Sequence, residues 1–140
     1  MLTLKHVPVG EAAHPLPRSH RIVEHRITLT LLAGVATFQL ALVAGAPWGA
    51  AAWGGQAPGV LPTSLRVGSA VNVLVYAALA GIVVTDRLSS TARRRVLTGT
   101  SLIMVLATVM NLATRSPVER IWAPVAAGLA VLLWRGRETR

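Results

Sequence analysis

The sequence predicts an all-α fold: an integral membrane bundle of four transmembrane helices with an irregular outer loop rich in Trp, Gly and Pro. Of the 140 residues, 53% are hydrophobic and only 14% are charged, whereas soluble domains are about one-quarter charged. Four apolar runs are separated by short polar or basic segments. The basic residues, which give a net charge of +9, lie at the ends of these runs. This distribution indicates contact with lipid headgroups rather than with nucleic acid.

The first apolar run occupies residues 27–46 and follows a basic N-terminal segment, residues 1–26, that we expect to be cytoplasmic. The run carries no charge, and as a helix it would span roughly 30 Å, the thickness of one hydrocarbon core. Ala44-Gly45-Ala46 looks like a signal-peptide cleavage site. However, the run is longer than a typical signal-peptide core, and three more apolar runs follow. We therefore interpret it as a retained first helix.

The other three transmembrane helices are expected at about 66–85, 96–113 and 118–134, followed by a basic tail at 135–140. Candidate N-caps precede or open them: Ser64 for the second helix, Ser90 or Thr91 for the third, and Ser116 for the fourth. The fourth apolar run is the shortest and is just long enough to span a membrane.

The segment from Pro47 to Ser64 resembles neither a soluble loop nor a membrane helix. It carries no charge, contains Trp48 and Trp53, and is interrupted repeatedly by Gly and Pro. This composition indicates irregular backbone at a membrane surface, with the Trp rings at headgroup depth. We expect the segment to be ordered and folded back onto the bundle, with a short helical turn after Pro47. Its buried carbonyl groups would need donors, for which Gln56, Arg66 and Arg115 are available.

The basic residues divide unevenly between the two sides of the predicted membrane. The N-terminal segment holds four, the 86–95 turn four and the tail three, which is 11 of the 14. The remaining three are Arg66, Arg115 and Arg120. The positive-inside rule therefore predicts a cell-membrane protein with both termini in the cytoplasm and the 47–64 and 113–120 segments outside. We expect anionic lipids to contact the basic cytoplasmic face.

Amide side chains concentrate in the outer half of the predicted bundle, where Gln39, Asn72 and Asn111 lie on three different helices. Polar side chains are costly in lipid and normally turn inward toward partners. We therefore predict an outer-face binding site formed by these amides and the neighbouring polar and aromatic residues. Its candidate residues are Gln39, Trp48, Trp53, Gln56, Arg66, Asn72, Asn111, Arg115, Glu119, Arg120 and Trp122.

A purely structural role is the alternative interpretation of the same residues. The amides would then bond to one another across helices. Glu119, the only acidic residue on the outer face, would form a salt bridge with an arginine. Arg66 is the expected partner, because a bidentate pair with it would join the second and fourth helices.

The sequence predicts no catalytic residue, cofactor or metal site. It contains no Cys, and no charged residue or His lies in the middle of an apolar run, where proton-coupled pumps need a carboxylate and haem proteins need an axial ligand. We interpret the N-terminal histidines as part of a solvated tail, because they do not share a helix face. These residues are His6, His14, His20 and His25.

Three motifs at the predicted outer face carry a resemblance to a known group. They are Gly45-Ala46-Pro47-Trp48-Gly49 with Ala52-Trp53-Gly54-Gly55; Leu61-Pro62 with Leu65-Arg66 and Ser69; and Asn111, Ser116, Glu119, Arg120 and Pro124. Together they resemble a group of small four-helix bacterial membrane proteins to which no activity is assigned. The resemblance covers residues 27–134 and implies a topology but no mechanism.

These observations favour a non-catalytic membrane protein whose outer-face site binds a lipid headgroup, a small polar or anionic molecule, or a partner protein. One alternative is a small transporter or channel, which would require a homo-oligomer or a very narrow path. Another is a membrane enzyme acting on lipid, with Glu119 as its acid. A water path through the inner half would favour transport, and a lipid-sized groove beside Glu119 would favour the enzyme.

Overall fold

The computed structural model describes residues 18–85 and 87–138, and this part of the chain is helical without strands. The four main helices are α1 (Arg18–Ala44), α2 (Thr63–Val84), α3 (Ser90–Ala113) and α4 (Trp122–Gly136). Short 3-10 turns occur at Gly49–Ala51, Trp53–Gly55 and Glu119–Ile121. Most of the predicted N-terminal segment, including His6 and His14, lies outside the described residues, as do Asp86 and the last two residues of the tail.

Three of these helices are long and apolar enough to cross a membrane: Ser19–Ala44, Thr63–Val84 and Ser90–Ala113. Helix length and composition therefore support the predicted membrane character of the chain. The fourth helix has 15 residues, which corresponds to about 22 Å and is shorter than one hydrocarbon core. The 3-10 turn at Glu119–Ile121 leads directly into it.

The helix boundaries differ from those predicted, mainly at the helix starts. The first helix begins at Arg18 instead of residue 27, because polar residues continue the helix beyond the apolar run. The third begins at Ser90, and its cap is Ser89, whose hydroxyl accepts a hydrogen bond from the Ala92 N–H at 3.2 Å. Neither Ser64 nor Ser116 caps a helix. The second helix follows extended Pro62, while the Ser116 hydroxyl donates to the Ala50 carbonyl oxygen at 2.5 Å.

The helices pack as two antiparallel pairs, α1 with α2 and α3 with α4, and the pairs meet along α1 and α4. A buried apolar cluster fills the middle of the bundle and extends toward the 86–95 turn; it comprises Leu32, Leu79, Val83, Leu97, Met104, Leu129, Ala130 and Leu133. The buried Ser101 hydroxyl donates to the Ala130 carbonyl oxygen at 2.6 Å and joins α3 to α4. We call this cluster the central core.

Large apolar side chains also cover the outside of the bundle. On α2 and α3 several are more than half exposed; they include Val67, Leu74, Leu102, Ile103, Leu106 and Leu112. Such a continuous apolar surface is unfavourable in water and is the surface that lipid tails would cover. The exposed side chains therefore agree with the membrane character indicated by helix length and hydropathy.

The segment between α1 and α2 is folded back onto the bundle, which confirms the predicted ordered loop. Leu42, Ala52 and Leu61 form a second buried cluster there. Two side chains donate to loop carbonyl oxygens: Ser116, between α3 and α4, to Ala50 at 2.5 Å, and the indole N–H of Trp122, the first residue of α4, to Ala51 at 2.9 Å. We call this end of the molecule, formed by residues 45–62 and 114–121, the loop end.

The donors to the loop are not the ones that the sequence suggested. The Arg66 guanidinium points back to α1, where it donates to the Val43 carbonyl oxygen at 3.0 and 2.6 Å. In the described residues, Gln56 and Arg115 are exposed and make no hydrogen bond to the loop. Arg66 thus satisfies one of the carbonyl groups that the last turn of α1 leaves without a helical partner.

The turn at Trp53 is the most unusual backbone in the loop. Trp53 has a φ of +54°, in the left-handed region that bulky residues rarely adopt. Its indole N–H donates to the Ser69 hydroxyl at 3.2 Å, and its ring lies directly over Gly68. A Cβ atom at residue 68 would lie 2.8 Å from the ring. The absence of a side chain at Gly68 is therefore what allows the Trp53 ring to lie against α2.

We predict that Gly68→Ala destabilises the protein by about 1–3 kcal/mol, because the new methyl group would overlap the Trp53 ring. The matched control is Gly81→Ala in the same helix, where a Cβ atom would meet nothing within 4 Å. The control should be neutral or slightly stabilising, since Ala favours helix more than Gly does. Thermal unfolding in detergent micelles measures both, and equal behaviour of the two variants would contradict the contact.

Candidate binding site

A cavity of about 200 Å³ lies between the four helices at the loop end. Its floor includes Met104 and Leu129, which belong to the central core. The loop contributes Ala51, Ala52 and Trp53. The remaining polar and aromatic residues of the lining are Phe38, Gln39, Asn72, Tyr76, Asn111, Glu119 and Trp122. We call this space the loop-side cavity.

The structure brings six of the eleven predicted site residues together around this cavity. They are Gln39, Trp53, Asn72, Asn111, Glu119 and Trp122. The three amides come from α1, α2 and α3, and the other three residues come from the loop, the 3-10 turn before α4 and the start of α4. The three amides therefore lie around one cavity at one end of the bundle, as the sequence predicted.

The other five predicted residues lie outside the cavity lining. Trp48 is half exposed and stacks on Phe38 with the ring centroids 6.2 Å apart. Gln56 and Arg115 are exposed, and Arg66 is bound to the end of α1. Arg120 donates to the Thr114 carbonyl oxygen from two nitrogens, at 3.3 and 3.2 Å. All three arginines of the predicted site therefore lie outside the cavity lining.

Two aromatic residues in the lining were missed as site residues. Phe38 packs against Trp122 with ring centroids 4.5 Å apart, and Tyr76 lies on α2 one turn after Asn72. Residues four apart share a helix face, so the position of Tyr76 relative to Asn72 was a usable signal. Phe38 gives no comparable signal, because a single Phe in an apolar run looks like an ordinary packing residue.

The three amide side chains do not bond to one another across helices, so that alternative was wrong. In the part of the chain that the structure describes, Gln39, Asn72 and Asn111 make no side-chain hydrogen bond, and the Gln39 Oε1 atom is buried without a partner. The cavity lies between them and keeps them apart. Polar groups in such a place need water or a ligand as partner.

Glu119 is 8% exposed, and its carboxylate is held by neutral donors. Oε1 accepts from the Gly54 N–H at 2.8 Å, and Oε2 accepts from the Thr114 hydroxyl at 2.5 Å. An ionised carboxylate has about four acceptor positions, so roughly two remain for a molecule in the cavity. Gly54 and Thr114 lie on different segments, and Glu119 therefore connects the loop to the end of α3.

The predicted salt bridge between Glu119 and Arg66 was wrong. Among the described residues, the ion pairs are Glu24–Arg135 at 2.6 Å and Glu138–Arg137 at 3.0 Å. Each expected partner found a backbone group instead: Arg66 the Val43 carbonyl, and Glu119 the Gly54 N–H. The buried Glu119 carboxylate therefore has no basic partner among the described residues.

Within the described ranges, no group of three His, Cys, Asp or Glu residues is placed to hold a metal ion. Comparison with known proteins adds no functional information, since no family model, curated protein or solved structure matches this chain. The geometry of the loop-side cavity is therefore the basis for the functional argument.

We predict that Glu119 is energetically coupled to Thr114 but not to Arg66. In a double-mutant cycle on unfolding stability, Glu119→Ala and Thr114→Val should show a coupling of at least about 0.5 kcal/mol, because the two side chains share a hydrogen bond. Glu119→Ala and Arg66→Gln should be additive within about 0.5 kcal/mol. Strong coupling between Glu119 and Arg66 would indicate a salt bridge and contradict the observed contacts.

Proposed function

We propose that the chain is a non-catalytic membrane protein that binds one small polar molecule in the loop-side cavity. The observation that carries this proposal is the convergence of Gln39, Asn72 and Asn111, from three helices, on one cavity in which the Gln39 Oε1 atom is buried without a hydrogen-bond partner. A buried amide oxygen without a partner is costly unless something in the cavity bonds to it. A bound molecule with complementary polar groups would remove that cost.

The size of the cavity supports a single small molecule as the ligand. At about 200 Å³ it is somewhat larger than the engineered protein cavity of roughly 150 Å³ that binds benzene. It has room for a small ring or a branched head with a few polar atoms. The headgroup of a lipid would also fit.

The central core argues against the transport alternative. Leu32, Leu97 and Leu129 are each about 1% exposed and fill the bundle below the cavity. A water path would have to pass through these packed side chains.

Among the described residues that line the cavity, Glu119 is the only acid, and the rest supply amides, rings and apolar surface. Such a lining favours binding over hydrolytic chemistry, which usually needs a second acid or base.

We further propose that all four helices span the cell membrane, with both termini in the cytoplasm and the loop end outside. The fourth helix together with its leading 3-10 turn covers residues 119–136, which corresponds to about 28 Å and suits a bilayer locally matched in thickness. At the opposite end, a shallow groove is lined by Arg93, Arg94 and Arg137 and by Glu138, which pairs with Arg137 at 3.0 Å, so the lining has a net positive charge. This groove is suited to the phosphates of anionic lipids.

Cysteine labelling tests the orientation, because the natural chain contains no Cys. Gln56 and Ser90 are both exposed and lie at opposite ends of the bundle. In intact cells, Gln56→Cys should react with a membrane-impermeant thiol reagent and Ser90→Cys should not. Reaction of Ser90→Cys alone would show that the orientation is the reverse of the one proposed.

Ligand titration of the protein in lipid nanodiscs tests the cavity. Three probes of similar shape and different charge are suitable: choline, 3,3-dimethylbutan-1-ol and 3,3-dimethylbutanoate. We expect at least one probe to bind saturably with one site per chain. Ala107→Phe, which places a ring in the cavity lining, should abolish that binding.

The matched control is Ala78→Phe, since Ala78 is exposed and lies outside the lining. It should bind the probe as the natural chain does. Binding that survives Ala107→Phe would place the probe elsewhere, and absence of saturable binding for all three probes would overturn the proposal.

A further inference from the structure

Building on the proposed function, we infer that the loop-side cavity takes a small organic cation, an ammonium group with an attached hydroxyl or similar donor. The Glu119 carboxylate would supply the counter-charge, and aromatic rings would surround the cationic head. The inference rests on the charge of the lining and on its aromatic residues, and its hydrogen-bonding groups are compatible with a ligand hydroxyl.

The charge balance of the lining is negative. Among the described residues around the cavity, Glu119 carries the only formal charge, and the observed donors to it are the neutral Gly54 N–H and Thr114 hydroxyl. Burying a carboxylate without a basic partner is costly. A cation in the cavity would offset that cost, whereas an anion would increase it.

The arginines at the loop end do not change this balance. Arg66 donates to the Val43 carbonyl oxygen, and Arg120 donates to the Thr114 carbonyl oxygen. Arg115 is exposed, and none of the three lines the cavity. The anionic ligand that these arginines suggested from the sequence would therefore meet Glu119 rather than a guanidinium group.

The hydrogen-bonding groups of the lining can pair with a ligand hydroxyl. The Gln39 Oε1 atom is buried without a partner, and the Glu119 oxygens keep unused acceptor positions. Both indole N–H groups of the lining are already used: Trp53 donates to Ser69 and Trp122 to Ala51. The Tyr76 hydroxyl and the amide groups of the lining can both donate and accept, so they suit a hydroxyl, which does the same.

Aromatic side chains are the third feature of the lining. Phe38, Trp53, Tyr76 and Trp122 come from four different segments and surround the same space as Glu119. The indole N–H groups of the two Trp residues are bonded to the Ser69 hydroxyl and the Ala51 carbonyl oxygen. Aromatic rings near a carboxylate are the arrangement that attracts ammonium groups by cation–π interaction.

The test compares choline with 3,3-dimethylbutan-1-ol, its uncharged carbon analogue, on the full chain in nanodiscs. We expect choline to bind about tenfold or more tightly than the alcohol, because only choline interacts with the carboxylate as a cation. Glu119→Gln, which keeps the shape and an acceptor oxygen, should remove this preference. Glu24→Gln is the matched control, since Glu24 pairs with Arg135 at the other end of the bundle.

The outcomes separate this inference from the proposed function. If the alcohol or 3,3-dimethylbutanoate binds as tightly as choline or more tightly, the cavity binds small molecules but the cation inference is overturned. A choline preference that persists in Glu119→Gln would overturn the role of Glu119. If no probe binds saturably, both proposals fall. The comparison of probes on the natural chain remains decisive even if Glu119→Gln does not fold.

Discussion

The buried carboxylate of Glu119 is the constraint on which the loop end depends. A carboxylate removed from water requires hydrogen-bond donors, and here they come from the Gly54 N–H and the Thr114 hydroxyl. Gly54 lies in a left-handed turn of the loop, with φ values of +54°, +74° and +68° at Trp53, Gly54 and Gly55. The Glu119 carboxylate therefore joins this turn to the end of α3, and Glu119 itself lies just before the start of α4.

The loop-side cavity follows from this arrangement. The Ser116 and Trp122 side chains bond to the carbonyl groups of Ala50 and Ala51 and hold the loop beside the Glu119 contact. The loop then lies over a space that the helices leave open above the central core. Short Ala side chains line much of that space and leave it unfilled. The amides, the aromatic rings and the Glu119 carboxylate make its lining partly polar. Structural support and ligand recognition would thus share the same residue.

The features that follow from hydropathy and charge could be predicted from the sequence. The predicted side-chain contacts were wrong where a backbone group, rather than another side chain, is the hydrogen-bond partner. Apolar runs indicated the helices, and the amides at equivalent depths indicated where polar groups converge. The Glu119–Arg66 pair was wrong because formal charges suggest ionic partners, whereas the fold offered a free N–H in the loop and a free carbonyl at the end of α1. Such backbone groups are invisible in a sequence. Phe38 was missed because its role depends on the cavity beside it.

A high-resolution structure of the protein in a lipid nanodisc tests the central claim most directly. The account predicts non-protein density in the loop-side cavity, within hydrogen-bond distance of the Glu119 carboxylate and the Gln39 side chain. It also predicts that the Gly54 N–H remains on Glu119. A closed, dry bundle in which the three amides bond to one another, or a Glu119 side chain paired with an arginine, would contradict it.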